Sequence, residues 1–274
     1  MTTQTGIQVI ALTSGKGGVG KTNAAVNVAV ALQKSGNRVL LLDADLGLAN
    51  VDVMIGLHSP FNLSHVIRGE KTISEILVKG PAGISIVPAS SGVQKMAQLD
   101  DTEVGHLIQA FSQLDDDYDY LIVDTAAGIS SGVLSFLQAA HHVVVVVLDE
   151  PSSITDAYAM IKVMRRDYGV ENIWVLSNMV DSLTHGRQLY EKLNRVAEQF
   201  LGRGVNYLDA VPLDRRIKEA NKSQKAVMDI SPSSLSGVAY QRVSEKLKQL
   251  PKPTKARGQL EFFVERFMDR AVSQ

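Results

Sequence analysis

Gly15-Lys16-Gly17-Gly18-Val19-Gly20-Lys21-Thr22 follows a short apolar run, Ile7 to Leu12, and opens a segment of helical spacing, Lys21 to Ser35. Glycines at such a junction let backbone N–H groups approach phosphate oxygens, and a helix starting near Lys21 aims the positive end of its dipole at the same point. Gly15, Gly17, Gly18, Val19 and Gly20 are therefore expected to cradle phosphate. Lys21 should bridge the β- and γ-phosphates, and the Thr22 hydroxyl should ligate Mg²⁺. The plain alternative is a glycine-rich turn with no ligand.

Outward from this loop, apolar runs rich in β-branched residues recur at Val39 to Leu42, Ile84 to Val87, Tyr120 to Val123, Val143 to Leu148 and Ile173 to Leu176. Segments of helical spacing lie between them, including Glu103 to Leu114, Ser152 to Tyr168 and Arg187 to Leu201. Doubly buried strands alternating with helices predict an α/β fold, a mostly parallel twisted sheet with helices on both faces. Ligands of open parallel sheets sit at the carboxyl ends of the strands. That rule singles out Ser14 to Thr22, Asp43 to Asp45, Asp124 to Gly128, Asp149 to Pro151 and Asn178. The chain has no internal repeat. It divides into a domain over 1–250, a Pro-, Lys- and Gly-containing linker over 251–258 and a C-terminal helix within 259–274.

With 274 residues, 45% of them hydrophobic, the chain can bury one sizeable core. A formal net charge of -1 provides no global field for nonspecific nucleic-acid binding, so no direct DNA binding is expected. Cysteine is absent, which excludes disulfides, thiolate nucleophiles and cysteine-ligated zinc or iron–sulfur centres. The longest apolar run, Val143 to Leu148, is far shorter than the roughly 20 residues that span a bilayer, and Met1 to Gly6 lack the pattern of a signal peptide. A cytoplasmic protein is expected.

Three aspartates end apolar runs. Alternation puts the carboxylates of Asp43 and Asp45 on one side of an extended segment. Two acids beside a triphosphate need a metal between them, so one carboxylate should support Mg²⁺ through its water shell and the other position the attacking water. Asp124 precedes Thr125-Ala126-Ala127-Gly128, where small residues permit a backbone shift when the γ-phosphate is lost. An isolated aspartate in such a place is often only a helix cap.

Lys16 is a second lysine that an ordinary phosphate loop does not need. With it, Lys16 to Thr22 resembles the deviant Walker A motif of the MinD and ParA family, a three-layer P-loop NTPase fold. The resemblance implies an ATP/ADP- and Mg²⁺-dependent hydrolase that forms a homodimer with ATP, in which Lys16 reaches the partner's phosphates. A solvated loop lysine is the simpler reading. By the same resemblance Lys16, Lys21 and Asp45 are catalytic, with Asp45 orienting water. Thr22, Asp43 and Asp124 support the metal, and Asn178, Pro212 and Asp214 border the base. No Asn-Lys-x-Asp guanine motif is present.

Nitrogenase iron protein, iron–sulfur scaffold ATPases and arsenical-pump ATPases share this loop but depend on cysteine. Asp43 to Asp52, Asp124 to Gly128, Ser153 to Tyr158 and Leu260 to Arg266 together resemble the flagellar-number regulators of FlhG and FleN type. That branch implies a flagellar master transcription activator as partner, with the FlhF GTPase and flagellar switch-complex proteins as further partners. It also implies a polar position at the inner membrane. MinD-like division positioning and ParA-like DNA partitioning are the alternatives. Some members stimulate FlhF with an N-terminal extension; here the first strand starts at about Ile7, so binding of the activator is the better-supported expectation.

In the tail, Leu260, Phe263, Val264, Phe267 and Met268 fall at helical spacing opposite Glu261, Glu265, Arg266 and Asp269. The expected amphipathic helix either lies in a membrane interface, aided by Lys252, Lys255 and Arg257, or docks on the protein itself.

Overall fold

A computed structural model describes residues 6–47, 50–89, 99, 101–114, 117–253 and 260–263. Among them one eight-stranded sheet runs in the order β3-β4-β2-β5-β1-β6-β7-β8, formed by β1 (Gln8–Thr13), β2 (Val39–Ala44), β3 (Val78–Lys79), β4 (Ser85–Val87), β5 (Tyr120–Thr125), β6 (His142–Val147), β7 (Ile173–Val180) and β8 (Asn206–Pro212). Every pairing is parallel except the short β3 against β4. Crossover helices cover both faces and so bury the valine- and leucine-rich strands on both sides. One layer holds α1 (Lys21–Lys34), α10 (Val227–Ile230) and α11 (Leu235–Lys248); the other holds α5 (Asp101–Ala110), α6 (Ser131–Ala139), α7 (Pro151–Tyr168) and α8 (Leu183–Leu201). The short helices α2 (Val51–Ile55), α3 (Leu63–Ile67), α4 (Ile73–Ile76) and α9 (Arg215–Lys222) complete the connections.

The six expected strands are all present. The pattern missed β3, a two-residue edge strand, and β8, whose apolar run is broken by Asp209. Asp209 tolerates burial because Arg242 and Lys246 of α11 pair with it, at 3.3 and 3.2 Å. Pro212, expected in a loop, ends that strand.

The tail departs from expectation. Leu260 to Phe263 form a turn rather than a helix, and Phe263 has φ 58°, outside the right-handed helical region. Phe262 and Phe263 are fully buried beside Phe111, and Phe262 also stacks on Phe136 of α6. Glu261, expected on a solvated face, is buried with its Oε1 3.0 Å from His141 Nε2. His141 Nδ1 accepts the Val9 N–H at 2.9 Å, so the proton that faces Glu261 sits on Nε2. Burying two adjacent phenylalanines outweighs the helical spacing. Val264, Phe267, Met268 and most of the linker lie outside the described residues.

Candidate nucleotide site

β1 lies between β5 and β6, where the winding of the sheet changes direction, and the loops after these three strands meet at the crevice that such a reversal leaves. The phosphate loop follows β1. Gly18 and Gly20 have φ of 79° and 84°, and a Cβ on Gly15 would come within 2.4 Å of the Asp156 backbone of α7. The loop can therefore lie flat only with glycine there. α1 starts from Gly20 with no side-chain cap and no acid in its first turn, so its first N–H groups remain directed at the loop.

The two lysines separate. Lys21 is buried, its Nζ 3.2 Å from Asp124 Oδ1. Lys16 is about half exposed, with its Nζ 2.9 Å from Glu150 Oε2 and 3.1 Å from Ser152 Oγ, both after β6. A pair so exposed contributes about 0–1 kcal/mol, so Lys16 exchanges partners at little cost. A buried pair such as Lys21–Asp124 parts readily only when other charges replace both partners.

Asp43 and Asp124 are direct neighbours across β2 and β5, and both are buried. Asp43 Oδ1 accepts the Asp45 N–H, and its Oδ2 accepts the N–H groups of Asn50 and Val51, all at 3.1 Å. Burial, followed by the charge of Asp124, nevertheless raises the Asp43 pKa to about 8. Burial also raises that of Asp124, against the opposing pull of Lys21 and Thr22, whose hydroxyl is hydrogen-bonded to it. Asp124 Oδ2 is buried without a hydrogen-bond partner. Two adjacent buried acids and an orphan carboxylate oxygen beside a threonine hydroxyl are a donor set that fits Mg²⁺ with its water shell. Asp45 is half-buried just past the strand end. Gly128, at φ 95°, donates its N–H to the Ser14 carbonyl at 2.9 Å, which ties the loop after β5 to the phosphate loop.

Asn178 lies on β7, with its Nδ2 2.7 Å from the Val19 carbonyl. Its Oδ1 is buried and unpartnered, a vacant acceptor that suits an exocyclic amine such as that of adenine. A register break between Asn178 and Val180 and the left-handed Met179, at φ 53°, turn this side chain inward. Asp214, expected to border the base, follows β8. It caps α9, accepting the Arg216 N–H at 2.9 Å, and binds the N–H and hydroxyl of Ser236 at 2.9 and 2.7 Å. Sequence reasoning marked Asp149 to Pro151 as a strand end but gave Glu150, Ser152 and Met179 no role; a β-run ending before Pro151 was the available signal for the first two.

Residues 6–248 match the family model described as ParA, NUBPL iron-transfer P-loop NTPase. With no cysteine in the chain, thiolate ligation of iron has no counterpart here. The chain is 49% identical over 97% of its length to Antiactivator FleN of Pseudomonas aeruginosa, covering 95% of that protein. It is 34% identical over 86% of its length to the flagellum site-determining protein YlxH of Helicobacter pylori, covering 80% of that protein. Among solved structures, the MinD cell division protein of Aquifex aeolicus superposes with a TM-score of 0.73 at 25% identity, over 91% of this chain and all of that one.

Proposed function

The chain belongs to the ParA/MinD family of P-loop NTPases, and from that premise we propose that it is an ATP-driven dimerising switch that restrains a flagellar transcription activator and so limits flagellar number. The observation that carries this reading is the division of labour between its two lysines. Lys21 is committed to its own phosphate site, whereas Lys16 rests half exposed on Glu150, within reach of a second molecule.

Its ligands are ATP or ADP with Mg²⁺. Thr22, Asp43 and Asp124 would hold the metal, which supplies charge neutralisation at the phosphates. The loop N–H groups bind phosphate and Asn178 orients the base. Asp45 orients the attacking water, and Lys16, exchanging Glu150 for the partner's phosphate, completes the partner's site as an arginine finger does elsewhere. Gly128 links phosphate state to the start of α6. The name antiactivator of the Pseudomonas relative and the flagellar name of the Helicobacter relative support the choice of partner.

No helix among the described residues is long and apolar enough to cross a membrane. In our reading, attachment is peripheral and reversible. It uses Val264, Phe267 and Met268, since Phe263 is buried in the core.

The test is ATP-dependent dimerisation measured by light scattering, with activator-driven transcription in a reconstituted assay. Wild-type protein is expected to dimerise with Mg²⁺-ATP and to repress transcription. Lys16→Ala should bind ATP, remain monomeric and fail to repress. Normal dimers in that variant would remove the role of Lys16 in trans.

A further inference from the structure

Ser14 stands between the end of β1 and the phosphate loop, and it is buried, with 1% of its surface exposed. Both of its oxygens are engaged. Its hydroxyl donates to the Lys16 carbonyl at 2.8 Å, and its own carbonyl accepts the Gly128 N–H at 2.9 Å. One residue therefore joins the loop after β5 to the peptide that carries Lys16. A second tie lies beside it, where the buried Thr125 at the end of β5 has its hydroxyl 3.0 Å from the Leu12 carbonyl of β1.

The backbone of Lys16 is held on both sides by different means. On its amino side, Gly15 lies flat against α7, where a Cβ would come within 2.4 Å of the Asp156 backbone. On its carboxyl side, Gly17 and Gly18 have open space where side chains would be, and Gly18 is left-handed at φ 79°. Glycines so placed let the Lys16–Gly17 peptide turn over without a steric penalty. That peptide is planar and trans, so a hydrogen bond that fixes its carbonyl also fixes its N–H on the opposite side. It thereby sets the direction in which the Lys16 side chain leaves the loop. The side chain runs to Glu150 and Ser152 at the start of α7 and is about half exposed. A long side chain that must reach another molecule loses less freedom on binding when its base is already fixed.

We propose that Ser14 is a positioning residue for the shared nucleotide site: its hydroxyl holds the Lys16 peptide so that the Lys16 side chain is presented to a second copy of the chain, while its carbonyl joins that peptide to the loop after β5. The proposal rests on the reading of Lys16 as a residue that acts in trans. In that reading, loss of the γ-phosphate moves Gly128, and Ser14 carries the movement to Lys16. A two-fold dimer uses two such lysines, so the effect of one substitution is counted twice. Removing the hydroxyl leaves the fold intact. The Ser14 carbonyl still receives Gly128, and the carbonyl of the exposed Lys16 bonds water instead.

The test measures the dimer dissociation constant of the full-length protein by sedimentation equilibrium with Mg²⁺ and a non-hydrolysable ATP analogue. It compares wild type, Ser14→Ala, Ser14→Thr and Lys16→Ala, with calorimetric affinity for Mg²⁺-ADP and melting without nucleotide recorded for each. In Ser14→Ala the dimer is expected to weaken about tenfold or more, with ADP affinity and melting unchanged. Ser14→Thr, which keeps the hydroxyl, should dimerise as wild type does. Wild-type dimers in Ser14→Ala beside a monomeric Lys16→Ala would overturn the proposal and leave the switch reading standing. Weak dimers in a Ser14→Thr protein of normal melting would overturn the role of the hydroxyl. A loss of ADP affinity in step with dimerisation would place Ser14 in the phosphate cradle and overturn its action through Lys16. Normal dimers in Lys16→Ala would overturn the reading in trans and the proposal with it.

Discussion

The surroundings of each acid in the candidate site set its protonation. Asp43, pushed from 3.8 to about 8, retains a proton in the folded protein that the unfolded chain releases near pH 4. With the folded value above the unfolded one, stability is full below about pH 4 and falls as pH rises to about 8. The slope is at most about 1.4 kcal/mol per pH unit. Asp124 shifts in the same direction. Thermal melts in EDTA without nucleotide should therefore decline across that window, and Asp43→Asn should flatten the decline; an unchanged slope would show that Asp43 is already ionised. A cation competes with that proton, so Mg²⁺-nucleotide affinity should rise with pH over the same range. Asp45→Ala is expected to bind ATP, lose at least tenfold in phosphate release and accumulate dimers, because in the proposed mechanism the half-buried Asp45 orients water rather than supporting the fold. Normal turnover would exclude it from catalysis.

Among the elements, the phosphate loop depends on its neighbours as much as on its own glycines. A Cβ at Gly20 would lie 2.5 Å from Asn178 Nδ2 and 3.0 Å from Met179 Cε, at a φ of 84° that L side chains rarely adopt. Gly20→Ala should consequently weaken ATP binding by more than tenfold in calorimetry, and wild-type affinity would contradict the contact with β7. The turn over Leu260 to Phe263 is likewise an element of the core. Phe262→Ala should cost about 3–5 kcal/mol in urea unfolding, the range for emptying a buried aromatic site. A cost under about 1 kcal/mol would mean that the turn is only loosely seated.

For the whole molecule, truncation separates the buried part of the tail from the part proposed to reach a membrane. From Pro251, whose carbonyl receives His142 Nε2 at 2.9 Å, the chain passes from the core beneath α11 to the core on the opposite face, where Phe262 and Phe263 are embedded. Removing 264–274 should leave the melting temperature within a degree or so, while removing 254–274 should lower it by several degrees, in proportion to the lost burial. If membrane attachment belongs to the distal residues, both truncations should also abolish ATP-dependent liposome flotation. Flotation of the 1–263 protein at the wild-type level would refute that assignment.

Local patterning settled much of this molecule. Doubly buried strands announce themselves as β-branched runs, and a phosphate loop needs glycines, lysine and threonine at fixed spacing, so the layered fold was legible, and with it the placement of Lys21, Thr22, Asp43 and Asp124 around the carboxyl ends of β1, β2 and β5. The remainder depends on contacts between segments far apart in the chain. Asp209 hid β8 because its neutralising partners lie on α11. Glu150 acquires its role only when β6 lies beside β1. Helical spacing in the tail describes a face without specifying what covers it, and the aromatic site between Phe111 and Phe136 made a buried turn of Leu260 to Phe263. Spacing is local, whereas burial is a property of the assembled chain.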